Sequence, residues 1–186
     1  MHRNFGPKPI IYPMPVLIVA AYDGNGLPCA MNAAWGGIGS DTQIALCLDS
    51  GHRTTKNILE RRAFTVAFGT ADRVAECDYL GIVSGNKVED KIARAGLTVR
   101  KSGFVDAPLI NELPAALECT LVSYDPETCL MIGEIVNAGA DESVLGENGL
   151  IDPAKLAPIT FDPMNHVYLR LGETVGRAFG EGRKIG

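Results

Sequence analysis

The sequence predicts a mainly β fold, a β-barrel with a few short helices inserted between its strands. Two observations predict it. Short apolar segments rich in β-branched residues recur along the chain, and clusters of Gly, Asp, Asn and Pro separate them. Helical spacing of apolar residues is confined to three short segments, and strands and helices do not alternate in the regular manner of a doubly wound parallel sheet.

The first half of the chain predicts a hairpin, two more strands and one helix. The hairpin turns at residues 23–26, where two glycines stand beside Asp and Asn, and its second strand runs into a glycine-rich stretch at 36–40. Residues 54–62 predict a helix with Thr54 or Thr55 as its N-cap. The predicted strands are residues 16–22, 28–34, 43–48 and 63–68.

The second half of the chain predicts two short helices followed by strands. Apolar residues recur at helical spacing from residue 72 until a Ser-Gly break at 84–85, and a further short helix covers 89–95. Residues 141–162 show little periodicity and are expected to be irregular. The predicted strands are residues 97–100, 117–124, 130–138 and 167–171.

Length, composition and charge exclude several classes of protein. With 186 residues and 46% hydrophobic content, the chain can bury one substantial core, which predicts a single domain over 1–186. The 17 basic and 22 acidic residues are spread without blocks, which argues against nucleic-acid binding. Residues 1–15 contain four prolines and lack the apolar core of a signal peptide, and no stretch has the length of a membrane span. We therefore expect a cytoplasmic protein.

The cysteines and histidines predict neither disulfides nor a metal site. The cysteines are odd in number and irregularly spaced, and four of them have apolar neighbours, so we expect reduced, buried thiols. The histidines lie far apart, without the spacing of metal ligands. The residues concerned are Cys29, Cys47, Cys77, Cys119 and Cys129, and His2, His52 and His166.

Segment 48–58 is the first candidate site, because a strand there passes into a helix. Backbone N–H groups at a helix N-terminus bind anions, and Thr54 and Thr55 add hydroxyl donors. Arg53 and Lys56 place positive charge at the helix end where the macrodipole normally favours acids. The segment is therefore either a phosphate site or a capped surface helix with solvated basic side chains.

Two further segments are candidates. Residues 31–40 hold the chain's only tryptophan, Trp35, among small side chains that would let backbone amides approach a planar ring. Taken alone, this segment is better explained as a tight barrel strand in which Gly and Ala relieve crowding. Residues 83–92 form a loop and a helix start, where Asp90 is expected to cap the helix and Lys87 or Lys91 to reach an anion. By charge alone this segment is a solvated surface.

A series of short motifs occurs in a fixed order along nearly the whole chain. They are Asn32-Ala33-Ala34, Thr54-Thr55-Lys56-Asn57-Ile58, Ala63-Phe64-Thr65-Val66, Ser84-Gly85 with Asp90-Lys91, Leu117-Glu118-Cys119, Ile132-Gly133-Glu134-Ile135, and a tail at 168–179. In this order they resemble the flavin reductase-like family, which includes flavoredoxins, ferric reductases and the reductase components of two-component monooxygenases.

The resemblance implies an FMN-binding split β-barrel, a Greek-key barrel that forms a homodimer with one noncovalent FMN near each interface. It implies that the isoalloxazine ring lies along Asn32, Ala33, Ala34 and Trp35. It implies that the phosphate is held by Arg53, Thr54, Thr55 and Lys56. It implies that the site is closed by Ser84, Gly85, Asp90 and Lys91.

The resemblance also implies a protein that transfers electrons, either an NAD(P)H-dependent flavin or ferric reductase or a flavoredoxin-type carrier served by a redox partner. Many reductase components of the family have Gly-Asp-His before the Gly-Glu-Ile strand, a histidine associated with nicotinamide binding. This chain has Glu127-Thr128-Cys129 there, and His166, the other candidate, is expected to be solvated. The flavoredoxin-like and ferric reductase-like branches are therefore the closer comparison.

Two alternatives remain open. One keeps the barrel but makes it a non-catalytic module that binds flavin or haem. The other is an enzyme whose nucleophile is Cys47 or Cys129, although neither cysteine has an evident histidine partner in the sequence.

Overall fold

A seven-stranded antiparallel sheet dominates the structure, a computed structural model that describes residues 1–185. Gly186, the last residue of the predicted domain, lies outside the described residues. The strands are β1 (Met14–Pro15), β2 (Leu17–Tyr22), β3 (Pro28–Ala33), β4 (Gly36–Ser40), β5 (Gln43–Cys47), β6 (Ala63–Phe68), β7 (Val99–Lys101), β8 (Pro108–Ile110), β9 (Ala115–Asp125), β10 (Leu130–Ala140), β11 (Ile159–Asp162) and β12 (Val167–Arg170). The helices are α1 (Arg53–Arg61), α2 (Val74–Ile82), α3 (Lys91–Arg94) and α4 (Pro153–Leu156), with 3₁₀ turns at Ala71–Arg73, Glu142–Val144 and Glu181–Lys184.

Within residues 1–185 the strands form three sheets. The large sheet has the order β3-β2-β6-β9-β10-β5-β4, and each neighbouring pair is antiparallel. A second sheet has the order β1-β11-β12, and β7 pairs with β8. The helices lie in the connections, α1 between β5 and β6, and α2 and α3 between β6 and β7. The predicted mainly β fold with helical insertions is confirmed.

The large sheet curls until its two edges are neighbours. β3 and β4 lie at opposite ends of the strand order, yet only Ala34 and Trp35 separate them in the chain. A two-residue link spans on the order of 10 Å even when extended, so the first and last strands must approach each other. Two register shifts in the β9–β10 ladder mark bulges, which increase local twist and help the sheet to curl. The sheet therefore forms a barrel that is open along one seam.

Side chains of β2 contribute to two separate cores. Because successive strand residues point to opposite faces, Leu17 and Val19 pack inside the barrel with Ile58 of α1, and Ile18 packs outward against Leu80 of α2. Burial on both faces explains why β2 is continuously apolar rather than alternating. Helix α1 thus covers the barrel interior, and α2 and α3 cover the outer face beside β2 and β3.

Helix α1 begins earlier than the sequence predicts. Its N-cap is His52, so the prediction of Thr54 or Thr55 as the N-cap is wrong. The cause lies in the preceding turn, where Asp49 Oδ1 accepts a hydrogen bond from Gly51 N (2.7 Å) and Asp49 O accepts one from His52 N (3.2 Å). This turn starts the helix and leaves both threonines in its first turn.

Several short elements in the structure differ from the prediction. The region 141–162, expected to be irregular, contains α4 and β11, whereas the glycine-rich stretch at 36–40 is strand β4, in agreement with its interpretation as a tight barrel strand. Asp152 caps α4 by accepting a hydrogen bond from Ala154 N at 2.8 Å, and Pro153 opens its first turn. These elements have four or five residues, too few to show periodicity, and β11 owes its stability to pairing with β1 and β12.

The cysteines are free thiols, and Cys29, Cys77 and Cys119 are buried as expected. Cys47 is exposed, because strand alternation turns it away from the barrel interior that receives Leu46. Among residues 1–185 no group of three or more His, Cys, Asp or Glu side chains could hold a metal ion. None of the helices described over the same range has the length and apolarity needed to cross a membrane.

Candidate functional site

A cavity of about 240 Å³ lies where β3, the start of α1, the end of α2 and the start of α3 meet. Six predicted site residues line it: Asn32, Arg53, Thr54, Ser84, Gly85 and Lys91. The remaining lining residues, which sequence reasoning missed, are Met31, His52, Leu80, Gly81, Ile82 and Val83. Each of these lies beside or within a few residues of a predicted motif, and that proximity is the signal that could have found them.

The N-terminus of α1 borders the cavity. Its first turn contains no acidic residue. Among the described residues, the side chain of the N-cap residue, His52, makes no hydrogen bond to the free backbone N–H groups of this turn. These groups and the positive end of the helix dipole therefore lack the usual negative partner. An anion in the cavity would supply that partner.

Thr54 is the hydroxyl of α1 that lines the cavity. Its side chain is buried, and Thr54 Oγ1 donates a hydrogen bond to Cys29 Sγ on β3 at 3.4 Å. Thr55 is fully buried beside it but does not line the cavity, and its hydroxyl has no hydrogen-bond partner among the described residues. The structure therefore places Thr54, but not Thr55, at the cavity, because consecutive helix residues point about 100° apart.

Lys91 brings a buried positive charge to the cavity wall. The residue is only 2% exposed, and Lys91 Nζ donates hydrogen bonds to Leu80 O (3.0 Å) and Val83 O (2.8 Å) at the end of α2. Burial lowers the pKa of the ammonium group below its ordinary value. Since an ammonium has three N–H donors, one remains for a ligand, and a negative group there would offset the cost of burial.

Arg53 is committed to protein partners rather than directed freely into the cavity. Arg53 Nη2 forms an ion pair with Asp23 Oδ2 at 2.9 Å, and Arg53 Nη1 contacts Gly85 O at 3.3 Å and Glu89 Oε1 at 3.4 Å. The bond to Asp23 raises the pKa of Arg53 above its ordinary value. The hydrogen bond from Leu27 N–H and, to a smaller extent, the hydrogen bond from Arg53 lower the pKa of Asp23 below its ordinary value.

The loop after α2 is fastened to the start of α1. Asn86 Nδ2 donates to Gly51 O at 2.9 Å, and Asn86 N donates to Ser84 Oγ at 3.3 Å. Gly85 fits because it has no side chain: a Cβ there would lie 2.7 Å from Cys29 Sγ. Ser84 and Gly85 are thereby held in the cavity wall.

The segment predicted to lie along a planar ring divides between two surroundings. Asn32 Nδ2 donates to Cys77 O on α2 at 3.1 Å, which fixes the Asn32 amide beside the cavity. Ala33 points into the barrel interior by strand alternation. Ala34 and Trp35 line a second hollow of about 480 Å³, together with residues 8–15 of the N-terminal segment, and Trp35 is 56% exposed.

Two further predicted residues do not line the cavity. Lys56 is exposed on α1, on the far side of the helix from Thr54. Asp90 occupies the N-cap position of α3 but makes no side-chain cap bond, so the prediction of a cap is wrong. Its carboxylate instead accepts a hydrogen bond from Arg94 Nε at 2.8 Å and lies beside a different, largely apolar hollow.

Residues 11–162 match the family model of the flavin reductase like domain. The chain belongs to this family. Its structure is similar to that of a flavoredoxin from Desulfovibrio vulgaris (Miyazaki F), with 38% identity, a TM-score of 0.93, and coverage of 98% of this chain and 100% of the other. A flavoredoxin from Methanosarcina acetivorans shares 27% identity with a TM-score of 0.87, covering 100% and 98% of the two chains.

The fold extends to more distant proteins. The FMN-binding domain of a flavin reductases-like enzyme from Shewanella baltica OS155 has a TM-score of 0.76 at 21% identity, with 88% of each chain covered. At that identity the likeness concerns the fold alone. Together with the flavin reductase-like family match, it confirms the predicted split β-barrel.

His166 does not line the cavity. It therefore does not replace, at this site, the histidine of the Gly-Asp-His motif that the chain lacks. His166 is exposed in the β11–β12 turn, with its ring 6.2 Å from the ring of Phe161. Cys47 and Cys129 contact backbone carbonyls, those of Thr128 and Pro126, rather than a histidine. The histidine that lines the cavity is His52, which the sequence analysis did not select.

Proposed function

We propose that this protein binds FMN noncovalently and transfers electrons through it as a flavoredoxin-type carrier. The observation that carries the proposal is that the N-terminus of α1, which has no side-chain cap, and the buried Lys91 ammonium lie on the same cavity. Both features carry a desolvation cost that a negative ligand would offset, because free N–H groups and a buried cation each lose hydration. The phosphate of FMN would compensate both.

Different residues would contact the phosphate end and the ring end of FMN. The cavity, about 240 Å³, is below the roughly 300–1,000 Å³ of typical small-molecule sites, so it suits the phosphate and part of the polyol chain. The first-turn N–H groups of α1, Thr54 and Lys91 would hold the phosphate. Asn32, Ala34 and Trp35 would contact the ring. Ala33 and Asp90 point elsewhere, and we assign them no contact.

Bound FMN would supply hydride transfer and single-electron transfer. The protein residues orient it and set its surroundings. Lys91 neutralises charge at the phosphate end, and Asn32, held by Cys77 O, offers a fixed amide at the ring end.

The electron donor distinguishes two candidate functions. A carrier receives electrons from another redox protein, and this candidate is favoured by the similarity to flavoredoxins and by the turn residues Glu127, Thr128 and Cys129, which replace the nicotinamide-associated histidine. An NAD(P)H-dependent reductase is the second candidate, favoured by the flavin reductase-like family match itself.

We also propose a homodimer. Two observations support it: the second hollow is open and largely apolar beside Trp35, and Ile38 on the edge strand β4 is exposed. The tail carries further exposed apolar side chains, with Val175 at 96% and Phe179 at 95% exposure. A second copy covering these surfaces would remove them from water. Light scattering during size-exclusion chromatography measures the mass that decides this.

The binding test compares FMN with riboflavin, which has the same ring but no phosphate. Protein stripped of flavin is titrated with each, and flavin fluorescence and absorbance report binding. We expect FMN to bind at least tenfold more tightly, since charge-assisted contacts contribute roughly 1.5–3 kcal/mol each. Equal affinities would remove the phosphate assignment, and binding of haem in preference to both flavins would favour the haem-binding module instead.

The functional test uses the FMN-loaded protein without oxygen. NADH and then NADPH are added while the flavin absorbance is followed. A carrier keeps its oxidised spectrum until dithionite or a reduced redox protein is added. Rapid bleaching by either nucleotide would instead identify an NAD(P)H-dependent reductase.

A further inference from the structure

We propose that Asp23 is a positioning residue for the FMN site and that it acts through Arg53 without touching the ligand. This inference rests on the proposed FMN function. The ion pair with Asp23 makes Arg53 a bridge between three segments of the chain rather than a phosphate ligand. Through this bridge Arg53 holds the loop at 84–89 against the cavity and so limits the rate at which FMN dissociates.

The contacts of Arg53 join segments that are far apart in the chain. Its Nη2 binds Asp23 Oδ2 in the β2–β3 turn at 2.9 Å. Its Nη1 lies 3.3 Å from Gly85 O and 3.4 Å from Glu89 Oε1 in the loop after α2. The Arg53 backbone belongs to the first turn of α1. One guanidinium group therefore connects the hairpin, the helix and the loop that surround the cavity.

Asp23 divides its two oxygens between two tasks. Asp23 Oδ1 accepts hydrogen bonds from Asn25 N and Leu27 N, both at 2.9 Å, and this fixes the hairpin turn. Asp23 Oδ2 is left for Arg53. Because the turn is held independently, Asp23 gives Arg53 a fixed anchor. The pair is largely shielded, with the side chains of Arg53 and Asp23 19% and 13% exposed, so solvent screens it less than a surface pair.

Only part of the attachment of the loop at 84–89 depends on the Asp23–Arg53 ion pair. Asn86 Nδ2 fastens it to Gly51 O, and Gly85 packs against Cys29 without room for a side chain. Arg53 Nη1 adds contacts to Gly85 O and to Glu89 Oε1. Loss of the ion pair therefore loosens Gly85 and Ser84 in the cavity wall while leaving the Asn86 contact intact.

The test is Asp23→Asn, which keeps an Oδ1 acceptor for the turn but replaces the oxygen that binds Arg53 by an NH₂ group. The matched control is Asp106→Asn, which removes the ion pairs with Arg61 and Lys101. Arg61 also donates to Asp23 O (2.8 Å) and Gly24 O (3.1 Å), so this variant acts beside the same hairpin turn but leaves Asp23 Oδ2 and Arg53 paired. Stopped-flow measurements give the FMN association and dissociation rates. Hydrogen exchange of residues 84–89 is measured in the flavin-free proteins.

We expect Asp23→Asn to raise the FMN dissociation rate about tenfold, with little change in the association rate, since a charge-assisted contact is lost. We also expect faster hydrogen exchange at 84–89 in the flavin-free protein. Asp106→Asn should change neither. Arg53→Lys, which cannot bridge Asp23 and Gly85 at once, should reproduce both effects, and it serves as the second variant if Asp23→Asn does not fold.

Three results would overturn the inference. Unchanged dissociation and exchange in Asp23→Asn would show that the ion pair does not hold the loop. Tighter FMN binding with a steeper salt dependence would show that freed Arg53 becomes a phosphate ligand. Equal changes in Asp106→Asn would show that disturbing the hairpin turn, and not loss of the Asp23–Arg53 ion pair, causes them. Failure of the wild-type protein to bind FMN would instead remove the proposed function on which the inference rests.

Discussion

Thr54 Oγ1 donates its hydrogen bond to Cys29 Sγ at 3.4 Å, so the cavity-lining hydroxyl of α1 is directed at a sulfur. Sulfur is a weak acceptor, and the hydroxyl can turn to a phosphate oxygen at little cost. The contact keeps the Thr54 side chain in one place while leaving its hydrogen available. Cys29 thus orients a binding residue without occupying the ligand's position.

Thr54→Val should lower FMN affinity about tenfold, because the phosphate loses a charge-assisted donor while the shape of the side chain is kept. Thr55→Val is the matched control, since the Thr55 hydroxyl is buried, unpaired among the described residues and away from the cavity. It should leave affinity unchanged and stability equal or higher. Fluorescence titration with FMN measures both variants, and equal losses in the two would contradict the placement of the phosphate.

Lys91→Met should destabilise the fold by about 1–3 kcal/mol, because Leu80 O and Val83 O lose their buried donor. It should also weaken FMN binding. Lys87→Met, on the exposed part of the neighbouring loop, is the control and should change neither quantity. Urea unfolding of the flavin-free protein gives the stability. An increase in stability would mean that the cost of burying the ammonium exceeds the value of its hydrogen bonds.

Gly85→Ala should weaken FMN binding by displacing the loop, since the new Cβ would lie 2.7 Å from Cys29 Sγ. Combining it with Cys29→Ala removes that sulfur and should restore most of the affinity. Gly103→Ala is a neutral control, because no atom lies within 4 Å of its added Cβ. The four FMN affinities form a double-mutant cycle, and simple additivity of the two losses would show that the clash is not the cause.

Tyr168→Phe should remove part of the loss of stability at alkaline pH. Burial, and then the hydrogen bond from Tyr168 Oη to Asp78 Oδ1 (2.7 Å), raise the pKa of Tyr168 from 10.0 to about 12. Between these values the unfolded chain releases this proton and the folded chain keeps it, so stability falls as pH rises. The difference in unfolding free energy between wild type and variant should shrink across that window, and a constant difference would refute the assignment.

The sequence predicted the parts of the site that follow from local pattern. The turn from strand to helix at 48–58 predicted a helix N-terminus with Thr54, and the break at 84–85 predicted a loop, and both line the cavity. Local pattern could not predict that Arg53 is engaged by Asp23, because 30 residues separate them and their contact depends on the packing of α1 against the hairpin.

Other differences have equally physical causes. Strand β4 was not among the strands predicted from periodicity because its glycines carry no hydrophobic alternation, but the crowding that its small residues were expected to relieve is present: a Cβ at Gly36 would lie 2.5 Å from Leu46 Cδ2. The third helix was predicted too long because Glu89 and Asp90 were counted as its first residues, whereas both carboxylates serve as ion-pair partners in the loop. Cys47 was expected to be buried because its neighbours are apolar, but its face depends on strand register.

The two-residue link of Ala34 and Trp35 joins strands at opposite edges of one sheet, and its backbone is tied to β5 by the hydrogen bond from Cys47 N to Trp35 O at 2.8 Å. Cutting the chain there would break no strand pairing, so a circular permutant with its new termini at this link should keep the same ladders. The permutant would lose the covalent link that fixes the distance between the two edge strands, β3 and β4. The ring end of the proposed FMN site thus lies where β3 and β4 are joined by the chain rather than by strand pairing.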